Sequence, residues 1–277
     1  MLSLTHWPAD AAARIHGVFT DIDDTLTTHG AVTQDTLAAL SSLKRAGLHV
    51  IPITGRPVGW CETFLAGESG APWNVDAMVA ENGAVALSRP SGAVGSHAGT
   101  DLSVLTRHYQ QNAQTRSVNR VRMAAVTQRV LREVPGMQLS RDSGGRETDL
   151  AFDYDEFDHH PPETVERVLC ILKDMGMQTT VSSIHIHGCF GDFDKWQGAR
   201  WIVRELLQRD LTAELDRWVF VGDSGNDQPM FQHFVHSVGV ANIAHVAARL
   251  AHLPTYITRQ PRGAGFCEVA QAILATR

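Results

Sequence analysis

Two acidic runs in this chain have the residue types and spacing that reaction chemistry requires. Asp21-Ile22-Asp23-Asp24-Thr25-Leu26 follows directly on the apolar stretch that begins at Ile15. Asp21 and Asp23 stand two residues apart across a sharp loop, so their carboxylates can take different roles. One attacks as a nucleophile and forms an acyl phosphate; the other moves protons. Gly222-Asp223-Ser224-Gly225-Asn226-Asp227 follows a second apolar run, Trp218–Val221. Its hard oxygen ligands suit Mg²⁺, which takes few carboxylates and keeps several waters. Thr54-Gly55-Arg56-Pro57 closes a third apolar run. A hydroxyl and backbone N–H groups at a helix start make a small phosphate cradle. Lys195, in Gly191-Asp192-Phe193-Asp194-Lys195, supplies an ammonium to offset charge on a transferring group. Taken singly, each run is also what turns, helix caps and solvated surfaces are made of. Their conjunction is what points to chemistry.

The elements needed to position these residues are legible around them. Ile15–Asp21, His49–Thr54 and Asp76–Ala80 read as short buried strands, with Pro52 a local defect in the second. Gln34–Ala46 carries Leu37, Leu40 and Leu43 on one face and ends at Gly47, as a glycine-capped helix does. Pro57 suits the first turn of the next helix. The last third repeats the alternation, with a helix over 198–208, strands at Trp218–Val221 and Val235–Val240, and a helix from Asp227 onward. Further helices are expected at Val246–Leu250 and Val269–Leu274. Strands alternating with helices indicate a parallel sheet, so the acidic runs fall at the carboxyl ends of strands, where such sheets place ligands. The middle differs. From about Gly83 to Cys189 short strands are expected at Ala84–Leu87, Asp149–Tyr154, Gln178–Val181 and Ile184–His187, with helices near 100–133 and 162–175. Gly and Ser cluster at 91–99 and 143–145, as in surface turns. This reads as an α+β module inserted into an α/β core.

Composition narrows the partners. With 277 residues, 43% of them hydrophobic and 19% charged, the chain is long enough for a core plus an inserted module. A net charge of −6 with no basic patch argues against nucleic-acid binding. The four cysteines, Cys61, Cys170, Cys189 and Cys267, form no CxxC pair, so neither zinc nor a redox motif is suggested. No run reaches the length of a membrane span and the N-terminus has no signal-like apolar region. A cytoplasmic protein with reduced thiols is expected.

The order acid loop, Thr-Gly, lysine, acid loop resembles the haloacid dehalogenase superfamily. The resemblance rests on Asp21–Leu26, Ile53–Pro57, Lys195 and Gly222–Asp227. It implies an α/β fold with a Rossmann-like parallel-sheet core formed by residues 1–82 and 190–277. It also implies an inserted α+β cap, residues 83–189, of the superfamily's larger C2 type (subclass IIB). Glu81-Asn82-Gly83-Ala84 leads into the cap and the 188–191 segment leads out. By the same resemblance Asp21 is the nucleophile and Asp23 the general acid and base. Thr54, Gly55 and Lys195 bind the phosphoryl group, and Mg²⁺ is held by Asp21, the Asp23 carbonyl and Asp223, with Asp227 helping directly or through water. Asp24 stands where many members have glycine. Paired acids at 21 and 23 favour a phosphatase or mutase over a dehalogenase, which lacks the second acid. Members with this cap often act on sugar phosphates, sucrose-phosphate, mannosyl-phosphoglycerate and trehalose-phosphate phosphatases among them.

A Mg²⁺-dependent phosphatase acting on a small phosphate monoester, sugar phosphates foremost, through a phospho-aspartyl intermediate is therefore expected. The alternatives are a phosphomutase of the phosphomannomutase type and a non-catalytic sugar-phosphate sensor. Read as a strand, Glu147–Tyr154 turns Leu150, Phe152 and Tyr154 to one face and Glu147, Asp149, Ala151 and Asp153 to the other. Ile184–His187 splits likewise, with His185 and His187 opposite Ile184 and Ile186. The polar face, with Glu147, Asp149 and His187, is expected to roof the core site and to select the substrate.

Overall fold

The computed structural model describes residues 1–68, 70, 72–89 and 105–277. Its main sheet is parallel and six-stranded. The central strands are β1 (Gly17–Thr20) and, beyond the insertion, β9 (Trp218–Gly222), every residue of both being buried. Burial on both faces is why these segments read as continuous apolar runs and not as alternations. In space the order is Leu2–Ser3, β11 (Tyr256–Ile257), β10 (His236–Gly239), β9, β1 and β2 (His49–Pro52).

The helices follow from local chemistry. α1 (Gln34–Arg45) begins where the Thr33 hydroxyl accepts from the Thr36 N–H. Its last turn carries Lys44 and Arg45, favourable beside the carbonyl end of the helix. Gly47 follows at φ +83°, the left-handed conformation that favours glycine. α1 buries Leu40 and Leu43 in one apolar cluster with Val269 and Ile273 of α7 (Arg262–Leu274). Pro52 proves harmless for a specific reason. The Ile53 N–H bonds toward β1, at Thr20 O (2.8 Å), so the N–H that Pro52 lacks would have pointed the other way. On that side β2 meets its neighbour through the bridge Ile53–Val79, the Asp76 N–H donates to Val50 O at 2.9 Å, and the Val50 N–H is satisfied by the Asp76 carboxylate at 2.7 Å.

That neighbour, β3 (Ala77–Ala80), pairs antiparallel with β4 (Val85–Ser88), which pairs with β5 (Thr106–Tyr109). Val85 and Leu87 belong to the same apolar cluster as Val18 and Val50. The first strand after Gly83, counted with the inserted module in the sequence reading, is thus packed as core. It has apolar residues on both faces and a tight return at Glu81, Asn82 and Gly83, all at positive φ, lays it against β3. The glycine- and serine-rich 91–99 segment and the start of the helix expected near 100 lie outside the described residues. The described part of that region is strand β5 followed by helix α3 (Ala113–Glu133), opened by Asn112 as N-cap.

The remaining insertion forms its own layer. A four-stranded antiparallel sheet runs in the order β7 (Gln178–Val181), β8 (His185–Cys189), β6 (Asp149–Asp153) and Gln138–Leu139. Phe152 and Ile186 turn outward and pack with Val126 and Val130 of α3 and with Val168 and Leu172 of α4 (Pro162–Asp174). The opposite face, bearing Asp149, Asp153, His185 and His187, is buried against the core. This is the division expected from two-residue alternation. Elsewhere, the helix expected at Val246–Leu250 is a single short 3₁₀ turn, Ala247–Arg249, preceded by another at Ala241–His245, whereas the C-terminal helix starts earlier than expected, at Arg262. Among the described residues no helix is long and apolar enough to cross a membrane.

Candidate active site

Adjacent parallel strands deliver two of the acids to one place. β1 and β9 pair in register from Gly17–Trp218 to Thr20–Val221, and both end in acid loops. The Asp21 N–H still bonds to Val221 O at 2.8 Å, so Asp21 is held as the continuation of the ladder. The chain then turns back, with Leu26 and Thr27 N–H groups both donating to Ile22 O. Asp24 takes φ +55° in this turn, which explains why glycine suits the position. Its carboxylate is fixed by the Arg262 Nε–H at 2.7 Å and its N–H by Thr27 Oγ1 at 2.8 Å.

Asp21, Asp223 and Asp227 bring carboxylate oxygens within 4.8 Å of one another, all buried. Lys195, fully buried in the first turn of α5 (Lys195–Leu207), donates to Asp21 Oδ1 and to Asp227 Oδ1, the latter at 2.7 Å. Asp194 sets that helix start by accepting from the Gln197 N–H at 2.7 Å. Asp227 Oδ2 accepts from the N–H groups of Asp223 (2.8 Å) and Ser224 (3.0 Å), which folds the second acid loop around it. Both Asp227 oxygens are therefore already engaged. Asp223 is steadied by the Thr25 hydroxyl at 3.2 Å and the Asn242 amide at 2.8 Å.

The electrostatics of this cluster call for a cation. Burial first, and then the neighbouring Asp227 and Asp23 charges, push the Asp21 carboxyl up to about 8 against the pull of Lys195. Burial and the Asp21 and Asp227 charges hold Asp223 well above the usual carboxylate range. Burial opposes the charge on Lys195, but Asp21 and Asp227 more than offset it and raise its pKa. Asp23 is paired with Arg56 and Asp24 with Arg262. When all three buried carboxylates are ionised they share one ammonium, which leaves two negative charges uncompensated. That deficit, with oxygen donors only, fits a hard divalent cation between Asp21 and Asp223.

The Thr54–Pro57 loop lies alongside. Thr54 is buried, and its hydroxyl accepts from the Arg56 N–H at 3.0 Å. The Arg56 guanidinium donates to both oxygens of Asp23, and it also reaches Asp142 (3.1 Å) and Glu156 (2.8 Å) from the insertion. The sequence places this arginine in the Thr54–Pro57 cradle without a role of its own. A guanidinium two residues past a strand-end threonine was the available signal. Asn242 stands outside every motif, and Asn226 is legible only as part of the second acid run; its Nδ2 donates to Asn82 Oδ1 at 3.0 Å and so ties the second acid loop to the return after β3.

The insertion closes the site from above. Asp21, Asp23, Gly55 and Arg56 below, with His185 and His187 above, enclose only about 10 Å³, room for a single water-sized group. Asp149 does not line that space. It is buried between Arg146 (2.8 Å) and His187 Nδ1 (3.1 Å). Arg146 also donates to Gly55 O at 2.9 Å. Glu147 is a correction to the expected roof. Strand β6 starts only at Asp149, so alternation does not govern Glu147. Its backbone N–H is captured by Glu81, and its carboxylate turns away to Arg107 (2.5 Å) and Tyr109 (2.8 Å).

Two family models match the chain. One describes haloacid dehalogenase-like hydrolases and covers residues 18–129; the other describes sucrose-6F-phosphate phosphohydrolase and covers residues 74–271. No curated protein matches it in sequence. Among solved structures, a protein from Thermoplasma acidophilum superposes with a TM-score of 0.67 at 17% identity, over 95% of this chain and 99% of its own. The sucrose-phosphatase of Synechocystis sp., solved with sucrose and phosphate, gives 0.63 at 14%, over 94% and 97%. The C-terminal domain of trehalose-6-phosphate phosphatase from C. albicans gives 0.63 at 13%, over 96% and 95%. These likenesses establish the shared α/β core with its cap.

Proposed function

The chain belongs to the sucrose-6F-phosphate phosphohydrolase family of haloacid dehalogenase-like hydrolases, and from that footing we propose a Mg²⁺-dependent phosphatase that hydrolyses a small sugar phosphate through a phospho-aspartyl intermediate. The observation that carries the proposal is the Asp21 carboxylate, held by Lys195 beside Asp223 at the carboxyl end of the central strand.

The proposed reaction has two halves. Asp21 attacks phosphorus while the P–O bond to the sugar breaks, and Asp23 gives its proton to the departing alkoxide. Asp23 then takes a proton from water, which attacks the phospho-aspartate and releases inorganic phosphate, regenerating Asp21. Lys195 holds a phosphoryl oxygen and offsets the growing charge, and the Thr54–Gly55 loop holds the others. Asp21, Asp223 and the Asp23 carbonyl would hold Mg²⁺, which neutralises charge on the nucleophile and phosphoryl group. Asp227, with both oxygens occupied, orients Lys195 and the loop and does not ligate directly.

The decisive test is phosphate release from a panel of sugar phosphates with Mg²⁺, by wild type and by Asp21→Asn. Asn keeps the size of the side chain and removes the attacking charge. Release should fall by several orders of magnitude, on the order of 10⁴ or more, without loss of fold. Near wild-type release by the variant would reject the covalent mechanism.

A further inference from the structure

Resting on the phosphatase reading, the inference concerns which leaving group the site accepts. His187 is 2% exposed, yet its Nε2 has no hydrogen-bond partner in the protein. A buried polar atom left unpaired costs free energy, so a site that keeps one has a use for it. The atom is aimed at the reaction space. It lies 2.9 Å from where a Cβ on Gly55 would stand, and the ring borders the same small cavity as Asp21 and Asp23.

The identity of the missing partner follows from the other ring nitrogen. Nδ1 lies 3.1 Å from Asp149 Oδ2, and Asp149 is itself held by two contacts from Arg146, at 2.8 and 3.1 Å. An ionised carboxylate only accepts, so Nδ1 carries the hydrogen and Nε2 presents a lone pair. Burial first, and then the positive charge of Arg146, keeps the imidazole pKa well below its ordinary value and so keeps the ring neutral. A lone pair repels phosphoryl oxygens, which are acceptors too. Its natural partner is a donor next to the ester, namely an alcohol.

We propose that His187, oriented by Asp149, accepts a hydrogen bond from a substrate hydroxyl on the carbon beside the phosphate ester, and so makes the enzyme selective for vicinally hydroxylated phosphates. His187 is a specificity residue and Asp149 a positioning residue. Gly55 is small because the imidazole must settle on it when the cap is closed.

The test compares glycerol 1-phosphate with n-propyl phosphate, which has the same carbon chain and no hydroxyl. Wild type should favour glycerol 1-phosphate in kcat/KM by at least roughly tenfold, since sites built around a hydroxyl reject analogues lacking it. His187→Phe should bring the ratio close to one. Asp149→Asn, close in shape, turns an amide N–H toward Nδ1 and moves the ring hydrogen to Nε2, which then donates to phosphoryl oxygens as readily as to a hydroxyl, so the preference should narrow. A ratio unchanged in both variants, or absent in wild type, would overturn the proposal. Release of phosphate from p-nitrophenyl phosphate separates the two layers. Activity there without hydroxyl preference defeats this inference alone, whereas no activity on any ester defeats the phosphatase reading and this inference with it.

Discussion

Arg56 Nη2 lies 2.8 Å from Asp23 Oδ1, and the same guanidinium reaches Asp142 and Glu156 in the cap. The side chain read as the general acid is therefore tied to the inserted module through a single arginine. The orientation of Asp23 thus depends on the position of the insertion that carries Asp142 and Glu156. An arginine suits the task because its planar fork gives Asp23 a bidentate contact and still reaches two further carboxylates, a geometry that the compact ammonium of lysine lacks.

Replacing Arg56 by Lys should uncouple the two. We expect kcat/KM on alkyl phosphates to fall by about 10²-fold, the usual scale for a misplaced catalytic group. Small-angle scattering should show a more extended particle. Unchanged kinetics would mean that Asp23 is oriented without this contact.

Asp23→Asn should separate substrates by leaving group. Proton donation is worth roughly 10²–10⁴-fold when the departing alkoxide is basic, and far less for p-nitrophenolate. Steady-state rates on a sugar phosphate and on p-nitrophenyl phosphate make the comparison. Equal losses on both would remove Asp23 from the acid role.

Divalent cations should stabilise the fold as well as support turnover. Two uncompensated negative charges are buried among Asp21, Asp223, Asp227 and Lys195. At about 100 times its Kd, Mg²⁺ should add about 3 kcal/mol of stability, visible as a raised Tm that EDTA reverses. Turnover should vanish on chelation and return with Mg²⁺. Ca²⁺ should restore it poorly, since its looser coordination disturbs the nucleophile. A Tm indifferent to Mg²⁺ and EDTA would count against the site.

Glu81 predicts a pH-dependent term in stability. This buried carboxylate accepts from Val58 N–H in the core and from Thr148 N–H and Oγ1–H across the boundary with the insertion. Burial, then the Asp149 charge, pushes its pKa up to about 7 from an ordinary 4.5. The folded state therefore keeps the proton longer than the unfolded chain does. The stability linked to this group is fully present below 4.5 and is lost as pH rises through about 7, at most about 3 kcal/mol. In Glu81→Gln that dependence should disappear. Tm measured from pH 4.5 to 8 for both proteins should give a difference that changes across this window. A constant difference would show that Glu81 titrates normally.

How much of this was legible beforehand depends on the range of the interactions involved. Asp21 and Asp223 were readable as partners because each follows a largely apolar run, and parallel strands put all their carboxyl ends on one edge. The outward and inward faces of β6 and β8 followed from simple alternation, which backbone geometry enforces. Lys195 carried no local signal at all; only its place in the order of motifs marked it.

Tertiary structure decided the rest. Arg56 meets Asp142 and Glu156 across 86 and 100 residues of chain, and no local pattern encodes such a meeting. Glu147 shows the same limit from the other side. Its position in sequence suggested the roof, yet the place where β6 begins, and the arrival of Arg107 and Tyr109 from β5, turned it away. The sequence by itself determined which groups stand at the strand ends, because local burial and direction dictate that. Which of them touch was settled by how the insertion docks, and docking depends on contacts made between segments far apart in the chain.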